Sequence, residues 1–184
     1  MRGRSKEDTR ILLVGVLNRH MPGGRRAVLV GGALVEFLTD GAHVTGDVDL
    51  IGDPDSILPL LAAAGFEREG RVYVQPDLGL VVDIAGDTLR RGETVTIIEF
   101  EGYRVPAVTL EDAIVDRLLA AKFWRSTTDR EQAVLLLRAH RDDVDRAVLR
   151  GKARANEVGD LLLRLTREMP GARAPRPPGR RRKA

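Results

Sequence analysis

The chain of 184 residues contains no cysteine, which excludes disulfide bridges, thiolate metal ligands and a cysteine nucleophile. Long apolar runs are also missing, since none approaches the roughly 18 residues of a membrane-spanning helix. The first ten residues are too polar to begin a secretory signal peptide. We therefore expect a cytoplasmic protein with no membrane partner and with a single core of moderate size.

The folded part of the chain lacks an excess of positive charge. Six of the basic side chains lie between residues 171 and 184, where there is no acidic residue: Arg173, Arg176, Arg180, Arg181, Arg182 and Lys183. Removing these six charges from the net charge of +3 leaves residues 1 to 170 at −3. Composition therefore gives no support for a nucleic-acid-binding core. We interpret the Pro/Arg-rich end as a disordered tail that solubilises the protein rather than as an RNA-binding segment.

Three aspartates lie in apolar surroundings where carboxylates are costly. Asp47 and Asp49 belong to a predicted strand at 47–51, and Asp83 lies in the apolar run at 80–84. Residues two apart in a strand point to the same side, so Asp47 and Asp49 should project together. Like charges at close range are unfavourable unless a cation neutralises them. If the two strands are neighbours, the three carboxylates could hold two metal ions, and Mg²⁺ prefers such oxygen ligands.

A glycine pair precedes these aspartates. Gly31 and Gly32 follow a predicted strand at 27–30 and lead into a predicted helix at 33–38. Backbone N–H groups at a helix N-terminus bind phosphate oxygens, and glycine leaves room for a close approach. The segment does not match the G-x-x-x-x-G-K-[ST] phosphate loop or the dinucleotide-binding fingerprint. It therefore predicts a phosphate site of another type.

The remaining pattern predicts strands with interleaved helices, followed by helices alone. Further strands are predicted at 71–74 and 79–84, with a hairpin at 94–100 and 103–105. Other helices are predicted at 7–20, 57–64, after Thr109, from about 129, near 143–150 and around 158–165. This order is typical of an α/β or α+β domain. We divide the chain into a domain at 1–107, a helical subdomain at 108–170 and the tail at 171–184.

The segment VLVGGALVEFLTDGAHVTGDVDLIGD resembles the nucleotidyltransferase superfamily related to DNA polymerase β. Small bacterial and archaeal members, including those paired in toxin–antitoxin systems, are the most similar. Their signature is an apolar residue, Gly, Gly or Ser, a gap, Asp-x-Asp or Asp-x-Glu, and a third Asp on a later strand. The resemblance implies a mixed sheet with flanking helices, and two Mg²⁺ ions held by Asp47, Asp49 and Asp83. It also implies transfer of a nucleoside monophosphate from an NTP to an acceptor hydroxyl of RNA, protein or a small molecule, with Asp83 helping to activate that hydroxyl.

The helical segment TLEDAIVDRLLAAKFWRSTTDREQAVLLL resembles the pattern that follows this catalytic core. By this resemblance Arg117, Lys122 and Arg125 would contact the triphosphate, and Asp129 would be structural. Two neighbouring features are interpreted from the residues themselves. We expect the pair at 123–124 to serve packing rather than base stacking, and we interpret His43 as a bystander rather than a base.

The chain departs from the family pattern in its phosphate loop. Gly32 and Ala33 occupy positions where many members have a hydroxyl that touches phosphate, and Thr45 could supply one instead. This departure keeps a second hypothesis open. In it, the protein is a non-catalytic nucleotide- or RNA-binding module that acts as an antitoxin or a regulator.

Overall fold

A seven-stranded sheet forms the centre of the protein, and a computed structural model describes it from residue 5 to residue 169. The strands are β1 (Val28–Val30), β2 (Val48–Ile51), β3 (Glu67–Glu69), β4 (Val72–Gln75), β5 (Leu80–Gly86), β6 (Val95–Phe100) and β7 (Tyr103–Val108). They lie in the order β3-β4-β5-β2-β1-β7-β6. The tail predicted at 171–184 lies outside the described residues.

The sheet is mixed, as expected. β1 pairs antiparallel with β2 and parallel with β7, and β2 pairs parallel with β5. The outer pairs, β3 with β4, β4 with β5, and β6 with β7, are antiparallel. β2 therefore lies between the strand that ends at the glycine pair and the strand that carries Asp83.

Among residues 5–169, three helices lie before β7 and four follow it. Their bounds are α1 (Lys6–His20), α2 (Gly31–Leu38), α3 (Pro54–Ala63), α4 (Leu110–Phe123), α5 (Thr127–Ala139), α6 (Arg146–Ala155) and α7 (Gly159–Arg167). Side-chain oxygens of Ser5, Thr109 and Ser126 each accept the backbone N–H three residues further on, which fixes where α1, α4 and α5 begin. The helix start predicted at Thr109 is confirmed.

Several bounds differ from the expectation, including α2, which begins at Gly31 rather than at residue 33, and β7, which runs to Val108 rather than to residue 105. α3 begins at Pro54 rather than at residue 57, because Asp53 caps it and proline suits the first helical position. α6 is shifted along the chain, since Asp145 accepts the N–H groups of Ala147 and Val148. β3 was not predicted because its sequence, Glu-Arg-Glu, is exposed and lacks the apolar alternation of a half-buried strand.

One hydrophobic core joins the sheet to helices from both parts of the chain. Fully buried side chains come from α1, β1, β2, α4, α5 and α7: Ile11, Leu29, Leu50, Ile114, Leu118, Leu136 and Leu165. The boundary predicted between residues 107 and 108 falls inside β7, and the core is continuous across it. None of the helices within residues 5–169 is long and apolar enough to cross a membrane.

Candidate active site

The pairing of β2 with β5 brings the aspartates together. Asp49 lies directly opposite Asp83 in the parallel register, and on its other side it faces Val30 of β1. Asp47 comes immediately before β2. The strands that carry these residues are thus neighbours, as the metal hypothesis requires.

Gly31 is the point at which the backbone approaches the carboxylate most closely. Its φ of +67° lies in the left-handed region, and a Cβ built on it would lie 1.8 Å from Oδ2 of Asp49. The N–H of Gly32 donates to the same oxygen at 3.3 Å. Only glycine meets both requirements at position 31. The glycine pair therefore puts the N-terminus of α2 directly beside Asp49.

The loop before β2 completes this arrangement. Thr45 Oγ1 donates to Oδ1 of Asp47 at 3.1 Å, and a Cβ on Gly32 would lie 2.7 Å from that hydroxyl. Arg10 of α1 donates to the carbonyl of Thr45 at 2.6 Å and forms a buried ion pair with Glu36 of α2 at 2.5 Å. Two helices therefore fix the loop that carries Thr45. Sequence reasoning missed Arg10, because its partners are distant along the chain.

Asp49 lies among like charges, and its pKa reflects them. The pKa of Asp49 is raised from 3.8 to about 6, chiefly by burial and then by the charge of Asp47, with a smaller contribution from Asp83. The Gly32 N–H and the Arg117 guanidinium act in the opposite direction without compensating for the rise. A carboxylate in this state favours any ligand that brings positive charge.

Arg117 of α4 lies near enough to Asp49 to lower its pKa. Its guanidinium donates to Asp129 Oδ1 at 2.7 Å and to Gln132 Oε1 at 3.1 Å, and it is also paired with Asp116. The structure therefore brings Arg117 to the edge of the cluster and anchors it on α5. The contact with Asp129 agrees with the structural role expected for that residue.

Gln132 connects this anchor to the loop before β2. Its oxygen is taken by Arg117, so its Nε2 is the atom that donates to Nε2 of His43, at 2.9 Å. The side chain of His43 therefore ties the loop to α5, and its interpretation as a bystander rather than a base stays a prediction. No sequence signal pointed to this contact, since 89 positions separate the two residues.

The structure does not bring Lys122 to the aspartates. Its ammonium donates to the backbone carbonyl of Glu157 and to Oδ1 of Asp160 at the start of α7. Arg125 is exposed between α4 and α5. The expectation that Phe123 and Trp124 serve packing is wrong, since their exposed fractions are 54% and 82%. These aromatic rings lie at the end of α4, where the chain turns away from the core.

The donor set suits Mg²⁺ in kind, because Asp47, Asp49 and Asp83 offer only carboxylate oxygens and substrate phosphates would add more. Across residues 5–169, however, no three His, Asp or Glu side chains converge as a complete ligand group. Asp83 is drawn to Arg71, whose guanidinium lies 3.2 Å from its Oδ2. Sequence reasoning missed Arg71, although it precedes Val72, which pairs with Asp83. Asp47 and Asp49 therefore form the pair most available to an ion.

A solved structure shares this fold. The crystal structure of an antigenic nucleotidyltransferase-like protein from Paracoccidioides brasiliensis matches with a TM-score of 0.54 and 20% identity. The match covers 86% of this chain and 93% of that chain. The protein therefore has a nucleotidyltransferase-like fold, and the predicted fold class is confirmed. No family model matches the sequence, and no curated protein matches it.

Proposed function

We propose that the protein transfers a nucleoside monophosphate from an NTP to an acceptor hydroxyl in a Mg²⁺-dependent reaction. The observation that carries this proposal is the position of Asp49. It lies opposite Asp83 in the sheet and against a glycine whose missing side chain leaves room only for its carboxylate. A purely structural aspartate would not require such a backbone, whereas a site for metal ions and phosphates would.

The roles follow from the contacts around Asp49. Asp47 and Asp49 would hold Mg²⁺, and Asp83 would join them once it is released from Arg71. The ion, when bound, would neutralise the carboxylates and polarise the α-phosphoryl group. Once the ion takes over Asp47 and Asp49, which Thr45 and Gly32 now contact, the hydroxyl of Thr45 and the backbone N–H groups of Gly31 and Gly32 would donate to phosphate oxygens. Arg117 would add positive charge from α4, and Lys122 has no part in the proposed site.

The bond changes are those of an in-line displacement. The acceptor hydroxyl oxygen bonds to the α-phosphorus while the bond from that phosphorus to the bridging oxygen of the β-phosphate breaks. Pyrophosphate leaves, and the hydroxyl proton passes to the carboxylate of Asp83. Arg71 would slow the reaction, because its ion pair with Asp83 competes for the carboxylate that accepts the proton.

Transfer from α-labelled NTPs to RNA, protein and small-molecule acceptors in the presence of Mg²⁺ tests the proposal. We expect Asp49→Asn to lower the rate by about 10²–10³-fold, as for other groups that stabilise developing charge. Asp55→Asn is the matched control, because Asp55 is exposed in the first turn of α3. The proposal fails if the wild-type protein transfers no label, or if Asp49→Asn is as active as Asp55→Asn.

One observation favours a second candidate, a non-catalytic nucleotide- or RNA-binding regulator of the kind found in toxin–antitoxin pairs. The ion pair between Arg71 and Asp83 occupies the carboxylate that the transfer reaction requires. Calorimetry separates the two candidates. Mg²⁺-dependent NTP binding that Asp49→Asn abolishes supports the enzyme. RNA binding that is lost only when residues 171–184 are removed supports the regulator.

A further inference from the structure

A groove of about 920 Å³ lies between α5, α6 and α7, and it shares no lining residue with the candidate active site. Apolar side chains from all three helices and the segments beside them line it: Leu137, Val144, Leu149, Leu162, Leu163 and Met169. Leu163 is 51% exposed, Val144 and Met169 are half-buried, and the other three leucines are buried. The groove therefore offers an apolar floor that is open to solvent.

Five arginines surround this floor: Arg138, Arg141, Arg146, Arg150 and Arg154. All five are exposed, and no salt bridge joins any of them to an acidic side chain within residues 5–169. Three acidic side chains also line the groove: Asp160 is paired with Lys122, Glu168 is paired with Arg130, and Glu157 is exposed with no salt bridge within residues 5–169. With Glu157 set against five arginines, the rim carries an excess of positive charge.

The arginines of α6 form a row. Arg146, Arg150 and Arg154 are four residues apart, so they follow one side of the helix at intervals of about 6 Å. A second helix with carboxylates at the same spacing could pair with this row, since a guanidinium binds a carboxylate through two parallel hydrogen bonds. The apolar floor beside the row would then receive the apolar face of that helix.

We propose that this groove binds an acidic amphipathic helix of a partner protein. Helix-in-groove recognition combines an apolar face with flanking charges, and the groove presents the complement of both. The chain's own end at 171–184 does not fit, because its six charges have the same sign as the rim. A second copy of the groove would be repelled for the same reason. RNA would satisfy the arginines but would leave the leucine floor uncovered.

A labelled peptide tests the proposal on the full-length protein. The probe is an amphipathic peptide of about 18 residues with leucines along one face and glutamates on both flanks. A second peptide carries lysine in place of every glutamate, and a single-stranded RNA serves as the third probe. Fluorescence anisotropy gives the affinity of each, and circular dichroism checks that every variant is folded.

Three variants assign the binding to the groove. We expect the double substitution Arg146→Glu and Arg150→Glu, and separately Leu163→Asp, to weaken binding of the acidic peptide by about tenfold or more, since charged and apolar contacts both contribute. Arg26→Glu is the matched control, because Arg26 is exposed and lies before β1, outside the groove. It should leave the affinity unchanged, and the lysine peptide should not bind.

Three results would overturn the proposal. The first is the absence of saturable binding of the acidic peptide up to about 1 mM. The second is binding that no groove variant changes, which would place the peptide on the basic end of the chain. The third is binding of the RNA alone, lost with the two α6 arginines and indifferent to Leu163→Asp.

Discussion

Asp49 and Asp112 are both shielded from water, but their surroundings differ in almost every other respect. The carboxylate of Asp112 in α4 accepts hydrogen bonds from Lys152 Nζ at 2.7 and 2.9 Å and from Thr109 Oγ1 at 2.7 Å. It also accepts from the N–H and the hydroxyl of Thr94 at 2.9 and 3.0 Å. Asp49 receives the N–H of Gly32 at 3.3 Å and lies beside two further aspartates. One carboxylate is fully paired, and the other is crowded by like charges.

Their pKa values move in opposite directions as a result. Burial acts to raise the pKa of both carboxyls. At Asp112 the hydrogen bonds from Lys152, Thr109 and Thr94 outweigh burial, and the pKa is lowered. At Asp49 the charges of Asp47 and Asp83 add to burial, and the pKa rises to about 6. The contrast shows that missing partners, rather than burial, mark the carboxylate that is available to a ligand.

Removing the partner of Asp112 should have the largest effect on stability. Lys152→Met leaves a carboxylate that is only 4% exposed without its cation, so we expect the free energy of unfolding to fall by about 3–5 kcal/mol. Urea denaturation measures the change. Lys122→Met is the matched control, since it breaks the more exposed pair with Asp160 and should cost less than about 1 kcal/mol.

The same experiment can contradict the comparison. Adding Asp112→Asn to Lys152→Met removes the uncompensated charge and should recover part of the lost stability. If the two lysine variants are equally stable, Asp112 does not depend on its cation. The contrast between the paired Asp112 and the crowded Asp49 would then have no consequence for stability at Asp112.

Gly31→Ala should have the next largest effect, because it places a side chain against Asp49. The left-handed backbone alone costs roughly 1–2 kcal/mol for a residue with a Cβ, and the collision with the carboxylate adds to this. Gly70→Ala is the matched control, since Gly70 has a similar φ of +62° with no atom within 4 Å of its Cβ position. Thermal or urea unfolding of both variants isolates the collision. Equal losses would mean that Asp49 moves aside freely.

Much of the fold could be predicted from local patterns. The strand before the glycine pair and the strand that carries Asp83 follow from short apolar runs, and the start of α4 follows from Thr109 and its cap contact. The exposed strand β3 has no such pattern, so only its pairing with β4 reveals it. Helix starts at Asp53 and Asp145 were missed because an aspartate before a polar segment is equally typical of a turn.

The site could be predicted only in part. The aspartates and the glycine pair stand out because their residue types conflict with apolar strands, and that conflict is visible in the sequence. The ion pair of Arg71 with Asp83 and the contact of Gln132 with His43 depend on strand order and helix packing. Lys152 and Asp112 are 40 residues apart, and no periodicity connects them. Such pairs carry no local signal, since the fold alone makes them neighbours.

Asp49→Asn should have the smallest effect on stability, and it should stabilise the protein where the other variants destabilise it. The folded-state pKa of about 6 exceeds the ordinary 3.8, so the folded protein binds more protons than the unfolded chain between these values. Stability is therefore lost as the pH rises through this range. An amide has no charge to bury, so the variant should gain on the order of 1–2 kcal/mol near neutral pH without metal ions, and little near pH 4. Urea denaturation in EDTA at both pH values measures this difference.

For Asp112 we expect the contribution to stability to depend on pH in the opposite direction. Its lowered pKa means that its stabilising contribution is present near neutral pH and is lost on acidification. Mg²⁺ provides the remaining control, because an ion bound at Asp49 should stabilise the wild-type protein and not Asp49→Asn. If Asp49→Asn raises the free energy of unfolding equally at both pH values, the charge of Asp49 does not destabilise the folded protein. If the gain of Asp49→Asn over the wild-type protein is confined to neutral pH and disappears with Mg²⁺, the charge of Asp49 destabilises the metal-free protein, and a bound ion neutralises that charge.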